Sequence, residues 1–137
     1  MRIYLICLFL LQGSLSAYSQ NEFWQDKIVP TYRLSMEQLD SAFYHHYGQS
    51  AYQEALHFAM VAYQKALNRE GGDNPITLQY ANHLGDLYLK QGILDSAQLY
   101  VDQTIDVYQK QKLDQSTGTE LYIFALITRS VILQRRG

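Results

Sequence analysis

The stretch Leu84-Gly85-Asp86-Leu87-Tyr88, followed by Gly92 and Ala97, decides how this chain folds. Leucine, glycine and tyrosine at this spacing lie on one helix, Gly92 turns the chain, and a second helix opens near Ala97. Small residues at 85 and 97 let two helix backbones approach closely, while large residues fill the space between neighbouring pairs. The stretch therefore predicts a helical hairpin, one unit of a repeated all-α architecture.

Helical periodicity and capping signals extend this pattern over most of the chain. Ser35 and Gln38 form a weak capping box before the first helix, and Gly71-Gly72-Asp73-Asn74-Pro75 stops one helix and starts the next. The five predicted helices run from Ser35 to about Tyr47, Ala51 to Asn68, Pro75 to Gln91, Asp95 to Lys110–Lys112 and Thr119 to about Arg135. A polar loop, 113–118, separates the last two, and no alternating strand pattern is present.

The first 19 residues have the layout of a secretory signal peptide. A basic start at Arg2 precedes the apolar run Ile3–Leu11 and a small, polar stretch, with cleavage expected after Ser19 and, as second choice, after Ala17. The alternative is a buried N-terminal helix. Cys7, the single cysteine, lies inside the apolar run, so no lipid anchor is expected and the mature chain has no cysteine. Residues 20–34 form a leader without a clear period.

Composition narrows the class of partner. Removal of Arg2 with the signal peptide leaves ten basic and thirteen acidic residues, a net charge of −3, which argues against nucleic acid. The twelve tyrosines suit helix interfaces and binding grooves, because tyrosine buries area while keeping a polar tip. We expect an exported, bacterial protein of the periplasm or another extracytoplasmic compartment, bound to protein or peptide and without a membrane span in this segment.

The chain repeats itself at long spacing. The segment around Ala55 aligns with the segment around Ala97, 42 residues later, and a third copy matches Arg129–Leu133 to Leu84–Tyr88 at an offset of 45. At these residues the chain resembles the tetratricopeptide repeat (TPR) family, in the long-repeat branch seen in kinesin light chains and many bacterial proteins. The middle copy carries the clearest match, at Leu84, Gly85, Tyr88, Gly92, Ala97 and Tyr108.

This resemblance implies an antiparallel helix-hairpin solenoid of about two and a half repeats over residues 35–137, namely 35–68, 75–111 and a partial copy at 119–137. It also implies a concave groove lined by the first helix of each pair. The carried-over groove residues are Glu37, Asp40, Tyr44 and Tyr47 in the first copy and Gln79, Asn82, Asp86, Leu89 and Lys90 in the second. Asp40 and Tyr44 stand where some members clamp a partner's C-terminal carboxylate, so that clamp is expected to be absent.

No motif for catalysis, cofactor binding or metal binding is present in the sequence. His45 and His46 point about 100° apart on a helix, so they rarely chelate one ion, and His57 and His83 are expected to be solvated or to lie at a groove edge. We therefore expect no enzyme, no cofactor and no metal; the minority alternative is an enzyme using His45 and His46.

The last predicted helix is apolar on a face that a solenoid would normally cover. We expect this face to include Leu121, Phe124, Ala125, Ile127, Val131 and Ile132. It indicates the N-terminal piece of a longer scaffold protein, or a stand-alone adaptor that dimerises through this helix. The resemblance also allows the docking or sensing arm of a CHAT-domain peptidase or a sensor histidine kinase.

Overall fold

The computed structural model of the protein describes residues 31–111 and 117–137. The proposed signal peptide, its cleavage site and most of the leader lie outside these residues, as does most of the loop at 113–118. The chain divides into two compact units, Met1–Leu34 and Ser35–Gly137. Of the first unit, the described part is a short 3-10 turn, Thr31–Arg33, and the residue that follows it.

The second unit consists of five helices, and the described residues contain no strand, which confirms the all-α prediction. The helices are α1 (Met36–Gly48), α2 (Tyr52–Glu70), α3 (Pro75–Lys90), α4 (Leu94–Gln111) and α5 (Thr117–Arg136).

Local capping signals explain where the helices begin. The Gln38 N–H donates to Ser35 Oγ (3.2 Å) and the Ser35 N–H donates to Gln38 Oε1 (2.8 Å), a complete capping box before α1. The Ile76 N–H donates to Asn74 Oδ1 (2.9 Å), with Pro75 in the first turn of α3. These two starts lie where the sequence predicts them.

The start of α4 differs from the prediction. The Ala97 N–H donates to the Ile93 carbonyl, so the helix begins at Leu94 and Asp95 lies in its first turn instead of capping it. The Asp95 carboxylate accepts from Arg136 on α5 instead. Likewise α2 continues to Glu70 and α5 begins at Thr117, two residues beyond the predicted limits in each case.

Each helix packs against the next along the chain, and α3 also contacts α5. Helices α3 and α4 approach closely at Gly85, where an added Cβ would lie 2.5 Å from Val101 Cγ1 and 3.3 Å from the Ala97 carbonyl oxygen. Glycine is therefore required there by space, as the sequence suggests for a close helix crossing.

Helix α5 exposes apolar side chains, but they are not all the ones that the sequence predicts. Ala125 and Ile132 are fully buried, in one cluster with Val101 and Ile105 of α4, so their predicted exposure is wrong. The exposed large hydrophobic side chains on α5 are those of Ile123, Phe124, Leu126, Ile127 and Leu133. The helix therefore buries one stripe and leaves another bare among the described residues.

Candidate binding groove

Helices α1, α3 and α5 together line one cavity of about 520 Å³. Helix α1 supplies Phe43, Tyr44 and Tyr47, and α5 supplies Glu120, Leu121 and Phe124. Helix α3 lies between them and supplies Pro75, Ile76, Gln79, Asn82, His83 and Asp86. We call this cavity the α1–α3–α5 groove.

Aromatic and aliphatic side chains make up much of the groove wall. Phe43 is buried at 2% exposure, whereas Tyr44, Ile76 and Phe124 are 53%, 47% and 41% exposed. Exposed aromatic and aliphatic side chains that line a groove are available for contact with a bound ligand.

Tyr47, Asp86 and Lys90 form a polar network at the carboxyl end of α3. Tyr47 Oη donates to Asp86 Oδ2 (2.7 Å), and Lys90 Nζ donates to Asp86 Oδ1 (3.1 Å). Burial and then the Asp86 hydrogen bond raise the pKa of Tyr47. Burial lowers the pKa of Lys90, but bonds to Tyr47 and Asp86 outweigh it and raise this pKa overall. Tyr47 thus stays protonated and Lys90 stays charged near neutral pH.

Asp40 is held beside the groove by α3. Tyr80 Oη donates to Asp40 Oδ1 (2.7 Å), joining α1 to α3. Burial, followed by the bond to Asp40, raises the pKa of Tyr80, so the phenol remains a donor.

His83 packs against the aromatic wall. Its ring centroid lies 4.6 Å from that of Phe43 and 5.9 Å from that of Tyr44. Burial lowers the pKa of His83 despite the opposing charges of Asp40 and Asp86, so the imidazole is neutral near pH 7. Its buried Nε2 atom has no hydrogen-bond partner in the described part of the chain.

Asn82 connects α3 to α5 and keeps one acceptor open. Its Nδ2 donates to the Leu121 carbonyl oxygen (2.9 Å), which fixes the orientation of the amide. The residue is 2% exposed, yet its buried Oδ1 lacks a hydrogen-bond partner among residues 31–111 and 117–137. Buried acceptors are rarely left unpaired, so this oxygen marks a position suited to a donor from outside.

The structure brings together five of the six leading groove residues predicted from the sequence: Tyr44, Tyr47, Gln79, Asn82 and Asp86. The sixth, Lys90, does not line the cavity but binds Asp86, which does. Asp40 faces Tyr80, and Glu37 is exposed in the first turn of α1. Placing Leu89 on the groove surface was wrong: it is 6% exposed and packs in the cluster shared with α4 and α5.

Sequence reasoning missed the contribution of α5 to the groove. The offset of 45 residues that aligns the third copy with the second carries Pro75, Ile76 and Gln79 onto Glu120, Leu121 and Phe124. That offset was available in the sequence and would have found all three.

The histidines do not converge in the structure. His45 and His46 rings meet edge to face at 5.2 Å between centroids, and His46 stacks on Phe58 at 5.5 Å. Among the described residues there is no group of three side chains suited to hold a metal, and none of the described helices has the length and apolarity needed to cross a bilayer.

Comparison with protein-family models, curated proteins and solved structures finds no match to this chain.

Proposed function

We propose that this protein is an exported, TPR-like interaction scaffold that binds a peptide segment of another protein in the α1–α3–α5 groove. The observation that carries the proposal is that three helices, α1, α3 and α5, line one cavity. Rigid helix pairs that present a groove bind peptides by burying apolar anchors and need no chemistry of their own. On this reading the protein has no catalytic role.

Two features support the export and scaffold parts of the proposal. The basic start and the apolar run Ile3–Leu11 favour secretion. The 42-residue spacing and the middle copy at Leu84–Tyr88 favour long TPR-like repeats.

A selection experiment with matched variants tests groove binding. Twelve-residue peptides displayed on phage are selected against the 137-residue chain, and the binders are measured against Phe124→Ala and Leu133→Ala. Both residues are exposed on α5, at 41% and 52%, but only Phe124 lines the groove. We expect Phe124→Ala to weaken binding at least tenfold and Leu133→Ala to change it less than twofold. Equal losses, or no binders, would refute the proposal.

A second candidate is a stand-alone adaptor that dimerises through α5. The observation favouring it is the exposed stripe Ile123, Leu126, Ile127 and Leu133, which lies outside the groove lining. Light scattering of the full chain distinguishes the two readings: a dimer that Ile127→Asp converts to a monomer supports the adaptor, and a monomer at all concentrations rules it out.

A further inference from the structure

Resting on the proposed function, we propose that the α1–α3–α5 groove selects a basic segment, one that presents a Lys or Arg side chain next to an apolar anchor. The apolar side chain occupies the cavity, and the cation donates hydrogen bonds to the Glu120 carboxylate and to the unpaired Oδ1 atom of Asn82. The partner is thus a positively charged peptide segment of another protein.

The first step is the polarity of the open groups in the groove. Asn82 Oδ1 is buried without a hydrogen-bond partner in the described structure, and the fixed amide presents an acceptor there because Nδ2 is used by Leu121. An acceptor in this position is satisfied by an N–H donor from an occupant and not by a carboxylate.

The second step is the charge of the lining residues. Asp86 and Glu120 line the groove, and no Lys or Arg does so among the residues described. Lys90 Nζ forms an ion pair with Asp86 Oδ1 at 3.1 Å. Glu120, in contrast, forms no ion pair in the described part of the chain. The uncompensated charge of the groove is therefore negative, and complementary charge sets which partners are accepted.

The third step is the aromatic wall. Tyr44 and Phe124 are 53% and 41% exposed and line the groove with Phe43 and Tyr47. Aromatic faces attract ammonium and guanidinium groups, so the same wall that takes an apolar anchor also tolerates a neighbouring cation. An acidic side chain would gain neither this attraction nor a free cationic partner.

The fourth step is size. A volume of about 520 Å³ lies within the range of roughly 300–1,000 Å³ typical of ligand-binding clefts. A lone ammonium group would leave most of this apolar space empty. The occupant therefore combines bulk with charge, as a Leu or Phe side chain beside Lys or Arg does.

The selection described above provides the readout, because it reports composition as well as binding. We expect the binders that Phe124→Ala weakens to contain at least three times as many Lys and Arg as Asp and Glu. Groove-dependent binders that are neutral or acidic would overturn this inference and leave the proposed function standing. An absence of groove-dependent binders would instead defeat the proposed function.

A cycle on the tightest selected peptide then tests the role of Glu120. The peptide is synthesised as selected and with its Lys and Arg replaced by Gln, and fluorescence anisotropy gives Kd for the full chain and for Glu120→Gln. We expect Glu120→Gln to weaken the basic peptide three- to tenfold and to leave the Gln peptide unchanged within twofold. Asp106→Asn, which removes an exposed carboxylate of α4 outside the groove, should change neither. Equal effects of Glu120→Gln on both peptides would overturn the inference.

Discussion

The sequences of helices α3 and α5 align at an offset of 45 residues, yet α3 is enclosed by other helices and α5 is exposed along one side. Helix α3 packs against α2, α4 and α5 and is hydrogen-bonded to α1, whereas α5 packs against α3 and α4. Leu87 and Ile132 correspond, and both are 0% exposed. The two helices are therefore alike at this buried position.

The outer positions show the difference. Gly85 is buried against Val101 of α4, while its counterpart Ser130 is exposed. Asn82 is 2% exposed, and its counterpart Ile127 is 59% exposed. These two positions are buried in α3, which lies between other helices, and exposed in α5, after which no further helix is described.

The largest expected effect tests the buried position that α3 and α5 have in common. Leu87→Ala and Ile132→Ala each remove a fully buried aliphatic side chain and should each lower the free energy of unfolding by about 2–5 kcal/mol. Urea denaturation followed by circular dichroism measures both. Leu133→Ala, at a position 52% exposed, serves as control and should cost less than about 1 kcal/mol. If Ile132→Ala were as mild as Leu133→Ala, α5 would not be docked on α4 as described.

The next effect tests the close crossing that α5 lacks. An added Cβ at Gly85 would lie 2.5 Å from Val101 Cγ1, so we expect Gly85→Ala to destabilise by about 1–3 kcal/mol, in spite of the higher helix propensity of alanine. Ala97→Leu, opposite Gly85, should cost about the same. The matched change Ser130→Ala should stay within about 0.5 kcal/mol. Similar urea midpoints for the two alanine variants would contradict the crossing.

Local signals explain why the helix boundaries were predictable. The caps at Ser35 and Asn74 depend on residues no more than three positions away, and such interactions are visible in sequence. Asp95 shows the limit of this reasoning. Its carboxylate accepts a hydrogen bond from Arg136, 41 residues away. A contact between residues so far apart in sequence is not visible in a local pattern.

The groove was predictable only in part because exposure depends on neighbours. Tyr44 and Asp86 follow from the face that first helices present in TPR-like repeats. Leu89 lies close to that face in α3, but α5 packs over this end, with Arg135 Nη1 donating to the Leu89 carbonyl (2.8 Å). The unpaired Asn82 oxygen likewise arises from a contact with Leu121 on another helix, which periodicity cannot show.

A smaller effect concerns pH and again contrasts α3 with α5. The α5 counterpart of His83 is Thr128, which does not titrate. Because burial lowers the pKa of His83 below its usual 6.5, the unfolded chain takes up the proton first. Stability is then unaffected above about pH 6.5 and falls below it, by at most about 1.4 kcal/mol per pH unit for one proton. The charges of Asp40 and Asp86 oppose this shift and moderate it.

His83→Thr should remove this component of the pH dependence. The free energy of unfolding is measured by urea titration at several pH values between 5 and 8 for both proteins. The difference between them should be constant above pH 6.5 and should change, in favour of the variant, below it. The remaining histidines are common to both chains and cancel. Parallel curves over the whole range would show that His83 is not protonated preferentially in the unfolded chain.

The smallest effect is expected when Ile127, on the exposed stripe of α5, is replaced by asparagine, the residue found at the aligned position 82 of α3. Ile127→Asn should change stability by no more than about 0.5 kcal/mol, because Ile127 is 59% exposed and its side chain lies outside the groove lining. Thermal unfolding at two protein concentrations tenfold apart makes the test sensitive to covering by a second copy. A Tm that is independent of concentration and unchanged by the substitution means that the stripe faces solvent in the isolated chain. A Tm that rises with concentration and is lowered by Ile127→Asn would mean that a second copy covers α5 as α4 covers α3, since only association links stability to concentration.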